Sequence, residues 1–158
     1  MIDDPIEIRA LQGDAEAWTC ADMMASSEPW ITLGRERENN YQVITRPNYE
    51  AYVAVLNDQI VGVIVFAQKV PLLGGYISTL AVAPQHRNRQ IGQRLLAFAE
   101  ELIFRNARNT FLCVSSFNTP AQRFYERHGY TRVGELTDFI IAGAHEILMR
   151  KAIGPLVS

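Results

Sequence analysis

Leu80-Ala81-Val82-Ala83-Pro84-Gln85-His86-Arg87-Asn88-Arg89-Gln90-Ile91-Gly92-Gln93-Arg94-Leu95-Leu96 decides how this chain is read. The apolar run from Ile77 to Val82 has the composition of a buried strand, and Pro84 stops it. A turn carrying Arg87 and Arg89 follows, and an amphipathic helix starts directly behind it. The order strand, basic turn, helix gathers unpaired backbone N–H groups and the positive end of a helix dipole at one point. Two guanidinium groups flank that point, and such a place binds phosphate. Solvated surface arginines are the competing reading, because charged loop residues mostly face water.

Arg87-Asn88-Arg89-Gln90-Ile91-Gly92 resembles the R/Q-x-x-G-x-G/A signature of the GNAT superfamily, the acyl-CoA-dependent N-acyltransferases. The resemblance implies a loop, Arg87 to Gln93, that wraps the pyrophosphate of coenzyme A through the backbone N–H groups of Arg87, Asn88, Arg89, Gln90, Ile91, Gly92 and Gln93. Gln90 departs from it, standing where the family usually has its first glycine. Helical dihedrals at Gln90 would keep its N–H on the phosphate, whereas a positive φ would strain an L residue.

A second stretch strengthens the resemblance. Asn118-Thr119-Pro120-Ala121-Gln122-Arg123-Phe124-Tyr125-Glu126-Arg127-His128-Gly129-Tyr130 is similar to the family pattern N-x-x-A-x-x-F/L-Y-E-x-x-G-F/Y. By residue type alone it is a helix with Asn118 as N-cap, Pro120 in the first turn and Gly129 as the stop. The likeness is close from Ile60 to Lys151 and extends to the N-terminal half only in element order.

Periodicity and turn residues predict the remaining elements. Ile6, Ile8 and Ala10 alternate as a half-buried strand, and a helix runs from Gly13 to Ala25. Ser26 to Trp30 breaks it, and a second helix spans Gly34 to Ile44. Strands at Tyr49–Leu56 and Ile60–Val70 meet at a tight Asn57-Asp58 turn, and a turn at Pro71–Gly75 leads into the Tyr76–Val82 strand. A helix from Gln90 to Asn106, a strand at Thr110–Ser115, the Asn118–His128 helix and two strands at Tyr130–Ile141 and His145–Lys151 complete the order. Residues 1–158 read as one domain, with no repeat or linker.

The order matches the α/β (α+β) GNAT-like fold: one mixed, mostly antiparallel sheet, helices on both faces and two splayed central parallel strands. In that family pantetheine lies in the splay, which implies Leu80, Ala81 and Val82 as its backbone partners. The resemblance also implies Tyr125 as the acid that protonates the departing thiolate, and Asn118 as a cofactor contact besides its cap. Helical spacing with Ala121, Phe124 and His128 leaves Tyr125 an alternative place in the core.

The general base is less legible. Some family members carry a glutamate on the strand after the long helix, where this chain has Cys113. An apolar setting of Phe111, Leu112 and Val114 makes an inert thiol. Glu28, beside Pro29-Trp30, is the carboxylate expected to face the acceptor; a solvated loop acid and water in a polar channel are the alternatives. Trp30, Tyr41, Phe139 and the Gly143 turn form the expected acceptor wall.

Composition excludes other classes. A formal net charge of −2 gives no basic field for nucleic acid, and no apolar run approaches the ~20 residues of a membrane span. Two cysteines, Cys20 and Cys113, and three separated histidines, His86, His128 and His145, make no metal site or disulfide framework. Asp3, Asp4 and Glu7 stand where a secretory leader is basic, so the cytoplasm is the expected compartment. Neither G-x-x-x-x-G-K-[ST] nor G-x-G-x-x-G occurs. The expectation is an N-acetyltransferase taking acetyl-CoA and an amine, small or on a protein, without metal, with a homodimer left open. The rival is a non-catalytic acyl-CoA-binding or sensor domain, kept open by the missing glutamate at Cys113.

Overall fold

Seven strands and four helices, with one 3-10 turn, follow in the order β-α-α-β-β-β-α-β-α-β-β among the described residues of the computed structural model, 5–87 and 89–156. They are β1 (Glu7–Ala10), α1 (Gly13–Ala25), α2 (Arg37–Ile44), β2 (Glu50–Leu56), β3 (Gln59–Val70), β4 (Gly74–Val82), the 3-10 turn (Pro84–His86), α3 (Ile91–Phe104), β5 (Asn109–Ser115), α4 (Thr119–Arg127), β6 (Thr131–Ile141) and β7 (Ala144–Ala152). The strands form a single sheet in the order β1-β2-β3-β4-β5-β7-β6. All neighbours pair antiparallel except β4 and β5, which are parallel and joined through α3.

Each face of the sheet carries helices. On one, α3 buries Ile91, Leu95, Leu96, Ala99 and Ile103 against Ile64 and Phe66 of β3 and Leu112 of β5. These positions recur at intervals of four, one, three and four residues, the apolar stripe of an amphipathic helix. On the other face α1 sets Ala17, Cys20, Ala21 and Met24 against Val53, Val63 and Val65. The alternation of these two sets along β3 explains why that strand is apolar almost throughout.

Local chemistry accounts for the ends. Asn57 and Asp58 both have positive φ, 51° and 60°, the geometry a two-residue hairpin demands. Asn118 caps α4 through an Ala121 N–H to Asn118 Oδ1 bond of 3.4 Å, and Gly129 leaves the helix at φ 94°. The second helix starts at Arg37, three residues later than expected, because Gly34 at φ 65° closes a run of turns and Glu36 caps instead. There the Glu36 N–H donates to Asn39 Oδ1 at 3.0 Å, half of a reciprocal capping pair. Strand β4 begins at Gly74, inside the expected turn, and an added Cβ at Gly75 would collide with Ile103 of α3.

The feature that positions the site is the seam between β4 and β5. Gly75 pairs with Thr110, Tyr76 with Phe111 and Ile77 with Leu112. Beyond that third pair β4 continues to Val82 and β5 to Ser115, with no further pairing between them among the described residues. The other edge of β4 stays bonded to β3 as far as Val82, which pairs with Gly62. Residues Ser78 to Val82 therefore keep one free backbone edge facing the opening.

Candidate active site

A cleft of about 960 Å³ occupies the opening between β4 and β5. Leu80, Ala81 and Val82 form one wall, with Leu112 to Ser115 opposite. At one mouth stand Arg87, Gln90, Ile91, Gly92 and Gln93 of the turn and the first turn of α3. Asn118, Ala121, Phe124, Tyr125 and His128 of α4 close a side. The other end is bounded by residues 27–30 of the α1–α2 connection, Glu28 and Trp30 among them.

One cleft thus brings together Leu80, Ala81, Val82, Arg87, Gln90, Ile91, Gly92, Gln93, Asn118, Tyr125 and Glu28. Arg89 is exposed and is not among the lining residues; Asn88 lies outside the described residues. The acceptor wall needs correction. Trp30 is in place, but Tyr41 stacks on Trp18 with ring centroids 4.0 Å apart and donates to Asp14, away from the cleft. Phe139 is 60% exposed, and the next residue, Ile140, lines the cleft instead. The Gly143 turn does not reach it, and Phe117 adds an aromatic surface that the sequence reading left out.

Gln90 overturns an expectation. Its φ of 60° and ψ of 18° are left-handed, not helical. The chain leaves the 3-10 turn and must reverse before α3 begins, a bend that glycine makes freely and an L residue makes under strain. The junction therefore has a conformation that favours glycine, at the position where the family signature carries one. Behind it, a Cβ added at Gly92 would lie 3.7 Å from Phe124 Cζ and from Val82 Cγ2, an ordinary contact. The first turn of α3 is thus held between α4 and the end of β4.

Helix α4 is tied to the tip of β5. Gln122 Nε2 donates to the carbonyls of Ser115 at 3.1 Å and Ser116 at 3.0 Å. Tyr125 packs edge-on against Phe124 and Tyr130, with centroids 5.2 and 5.7 Å away, and its hydroxyl has no hydrogen-bond partner among the described residues. Burial pushes its phenol well above the ordinary value. Tyr130 in turn donates to Glu100 Oε2 of α3 at 2.7 Å, and Lys151 donates to the other oxygen at 3.0 Å. Both readings of Tyr125 therefore hold geometrically: it packs with the core and it faces the cleft.

Cys113 is half-buried, and burial pushes its thiol up, with Glu146 adding to the shift and a hydrogen bond with Tyr76 opposing it. Glu28 is exposed and receives the Thr32 N–H at 3.4 Å. The acid that sequence reading missed is Glu146. It is 4% exposed, lines the cleft and pairs across the ladder with Ser115, whose Oγ donates to Glu146 Oε2 at 2.7 Å. Burial raises its carboxyl pKa, and the Ser115 bond works against that rise. A signal existed in Ala144-His145-Glu146-Ile147-Leu148: an acid two residues from each apolar neighbour on one face of a strand.

A mixed sheet opened between two parallel strands, with a turn–helix junction at the mouth and a short helix along one side, defines a class of acyl-transferring α/β proteins. The acetyltransferase (GNAT) family model matches residues 15–130, and the chain belongs to that family. It is similar to a protein assigned as a GNAT-family acetyltransferase from Desulfovibrio desulfuricans, at 21% identity over 95% of this chain and 100% of the other, with a TM-score of 0.78. An aminoglycoside 6'-N-acetyltransferase complexed with coenzyme A shares 22% identity over 94% and 98% of the two chains, with a TM-score of 0.74. A protein assigned as a streptothricin acetyltransferase from Bacillus anthracis, in complex with acetyl coenzyme A, shares 26% identity over 71% and 66%, with a TM-score of 0.62.

Proposed function

We propose that the protein moves an acetyl group from acetyl-CoA to a primary amine by direct transfer while both substrates are bound. The observation that carries this reading is the free edge of β4 beyond Ile77, which offers backbone groups to an extended chain as an added strand would use them. Pantetheine fits that description. Its pyrophosphate meets the N–H groups of the first turn of α3, with Arg87 beside them. The matching neighbour solved with acetyl coenzyme A supports the same donor.

The thioester then lies near Leu80, whose N–H points to the free edge of β4 and polarises its carbonyl. The amine attacks the carbonyl carbon, the C–S bond breaks, and Tyr125 gives its proton to the thiolate. A phenol raised by burial is a weaker acid, but the thiolate leaves into the same apolar surroundings, which raise its basicity in parallel. Glu28, exposed at the acceptor end, draws the cationic amine towards the mouth. Cys113, with its thiol pushed up, stays outside the bond-making sequence.

The test is release of free thiol from acetyl-CoA across a panel of amines. Turnover is expected, and Tyr125→Phe should lower kcat on the order of 10²-fold while leaving acetyl-CoA affinity nearly unchanged. Acetyl-CoA that binds but releases no thiol with any amine of the panel would replace this reading by that of an acyl-CoA sensor.

A further inference from the structure

Glu146 is the group that the reaction just described leaves unused. It lies in the wall of the cleft, beside Cys113 and Ser115, where β5 no longer pairs with β4. Its side chain belongs to a residue only 4% exposed, yet no lysine or arginine lies within 4.0 Å of it among the described residues. A buried carboxylate without a cation is expensive, and proteins rarely keep one unless something arrives to pair with it. Its one side-chain hydrogen-bond donor among the described residues, Ser115, satisfies a fraction of the four lone-pair sites a carboxylate presents.

None of the surrounding side chains neutralises the Glu146 carboxylate among the described residues. On β5 and β4 the nearest titratable neighbours are Cys113 and Tyr76, whose pKa values its charge raises, so neither neutralises it. On β6 its cross-strand partner is Leu136, and the charged residues of that strand are engaged elsewhere. Arg132 meets Glu135 at 3.4 Å, and Asp138 faces His145 at 3.8 Å. Glu28, His86, Arg87, Arg127 and His128 also line the cleft, and none of the cationic ones lies within 4.0 Å of the Glu146 carboxylate among the described residues. Trp30, Phe117 and Ile140 supply apolar and aromatic surface around the same space.

We propose that Glu146 seats the ammonium group of the acceptor and takes its proton, so that the acceptor is a primary amine carried on an apolar or aromatic body. This rests on the acetyltransfer reading above and names its acceptor side. The step balances as follows. The R–NH3⁺ group gives one proton to the Glu146 carboxylate and becomes R–NH2. The nitrogen lone pair forms the C–N bond, and the C–S pair leaves on sulfur, which takes the Tyr125 proton. The nitrogen then returns its surplus proton to the Tyr125 phenolate, and Glu146 releases its own to water. In water a carboxylate lies about six pK units below a lysine-like ammonium, which makes the first transfer steeply uphill. Burial narrows that gap from both sides, raising the acid and lowering the amine.

Glu146→Gln keeps the size of the side chain and an oxygen for Ser115, so the variant tests charge alone. Calorimetry on the coenzyme A complex would compare phenethylamine with phenethyl alcohol, tryptamine with tryptophol, and butylamine with butanol. The wild-type protein should favour at least one amine over its alcohol by about tenfold or more, and the variant should lose that preference. With acetyl-CoA, kcat/KM of the variant should fall on the order of 10²-fold near neutral pH and recover as the pH approaches the pKa of the free amine, with acetyl-CoA affinity unchanged. A preference for amine that survives in the variant, or is absent from the wild type across the panel, overturns the proposal; so does a pH profile that the substitution leaves unaltered. An amine preference that depends on Glu146, without any acetyl transfer, would support the ammonium seat and remove the acetyltransfer reading instead.

Discussion

Replacing Gln90 by glycine and, separately, by alanine separates two conformations by the sign of a stability difference. At φ 60° and ψ 18° an L residue carries a penalty of about 1–2 kcal/mol. Glycine escapes it but loses about 0.5–1 kcal/mol more chain entropy on folding. The net expectation is that Gln90→Gly gains about 0.5–1 kcal/mol, whereas Gln90→Ala keeps the strain and gains nothing. In a chain of 158 residues, that gain raises Tm by about 1–4 °C. Urea unfolding of the three proteins without cofactor measures it. Were Gln90 helical, the order would reverse, since glycine in a helix is about 1 kcal/mol worse than alanine. An alanine variant as stable as the glycine variant, or more so, would refute the left-handed junction and the strain assigned to it.

Gly92→Val should weaken coenzyme A binding at least tenfold by calorimetry, and, because an added Cβ meets only ordinary contacts at 3.7 Å, it should leave the fold intact. Cys113→Ala should keep most thiol-release activity at a stability cost of about 1 kcal/mol; intact mass after incubation with acetyl-CoA alone should show no adduct at that residue. Glu146 has a carboxyl pKa raised in the folded state, so its contribution to stability is fully present below the unfolded value and is lost as pH rises through the folded one. The stability of Glu146→Gln relative to wild type should therefore increase as pH is raised above about 4.5, and denaturant curves at matched pH values would show it; a constant difference would count against a buried, uncompensated charge.

The parts of the molecule that were legible in the chain are those whose chemistry is local. Asn118, Pro120 and Gly129 mark the ends of α4 by residue type, and Asn57-Asp58 marks its hairpin for the same reason. Leu80 to Val82 and the first turn of α3 meet at one cleft because strand and helix are contiguous there. The errors fall where the answer depends on distant segments. Tyr41 is drawn off by Trp18 and Asp14, partners a helix away. The left-handed turn at Gln90 is imposed by the path between two elements, against the preference of its own side chain. Glu146 reads as one acid in a late strand until β5 is laid beside it and the cleft in front.

The three-pair seam also has a mechanical meaning. It divides the sheet into a four-stranded half, β1 to β4, and a three-stranded half, β5, β7 and β6, joined otherwise by the α3 crossover and its packing on both. A donor molecule threaded through the gap would act as a strut between two blocks that are poorly stitched without it. Such a joint would let the empty enzyme breathe along one line, so that amide exchange at Ile77 and Leu112 should slow on loading far more than exchange deep in β3, which lies within one block and has little left to gain.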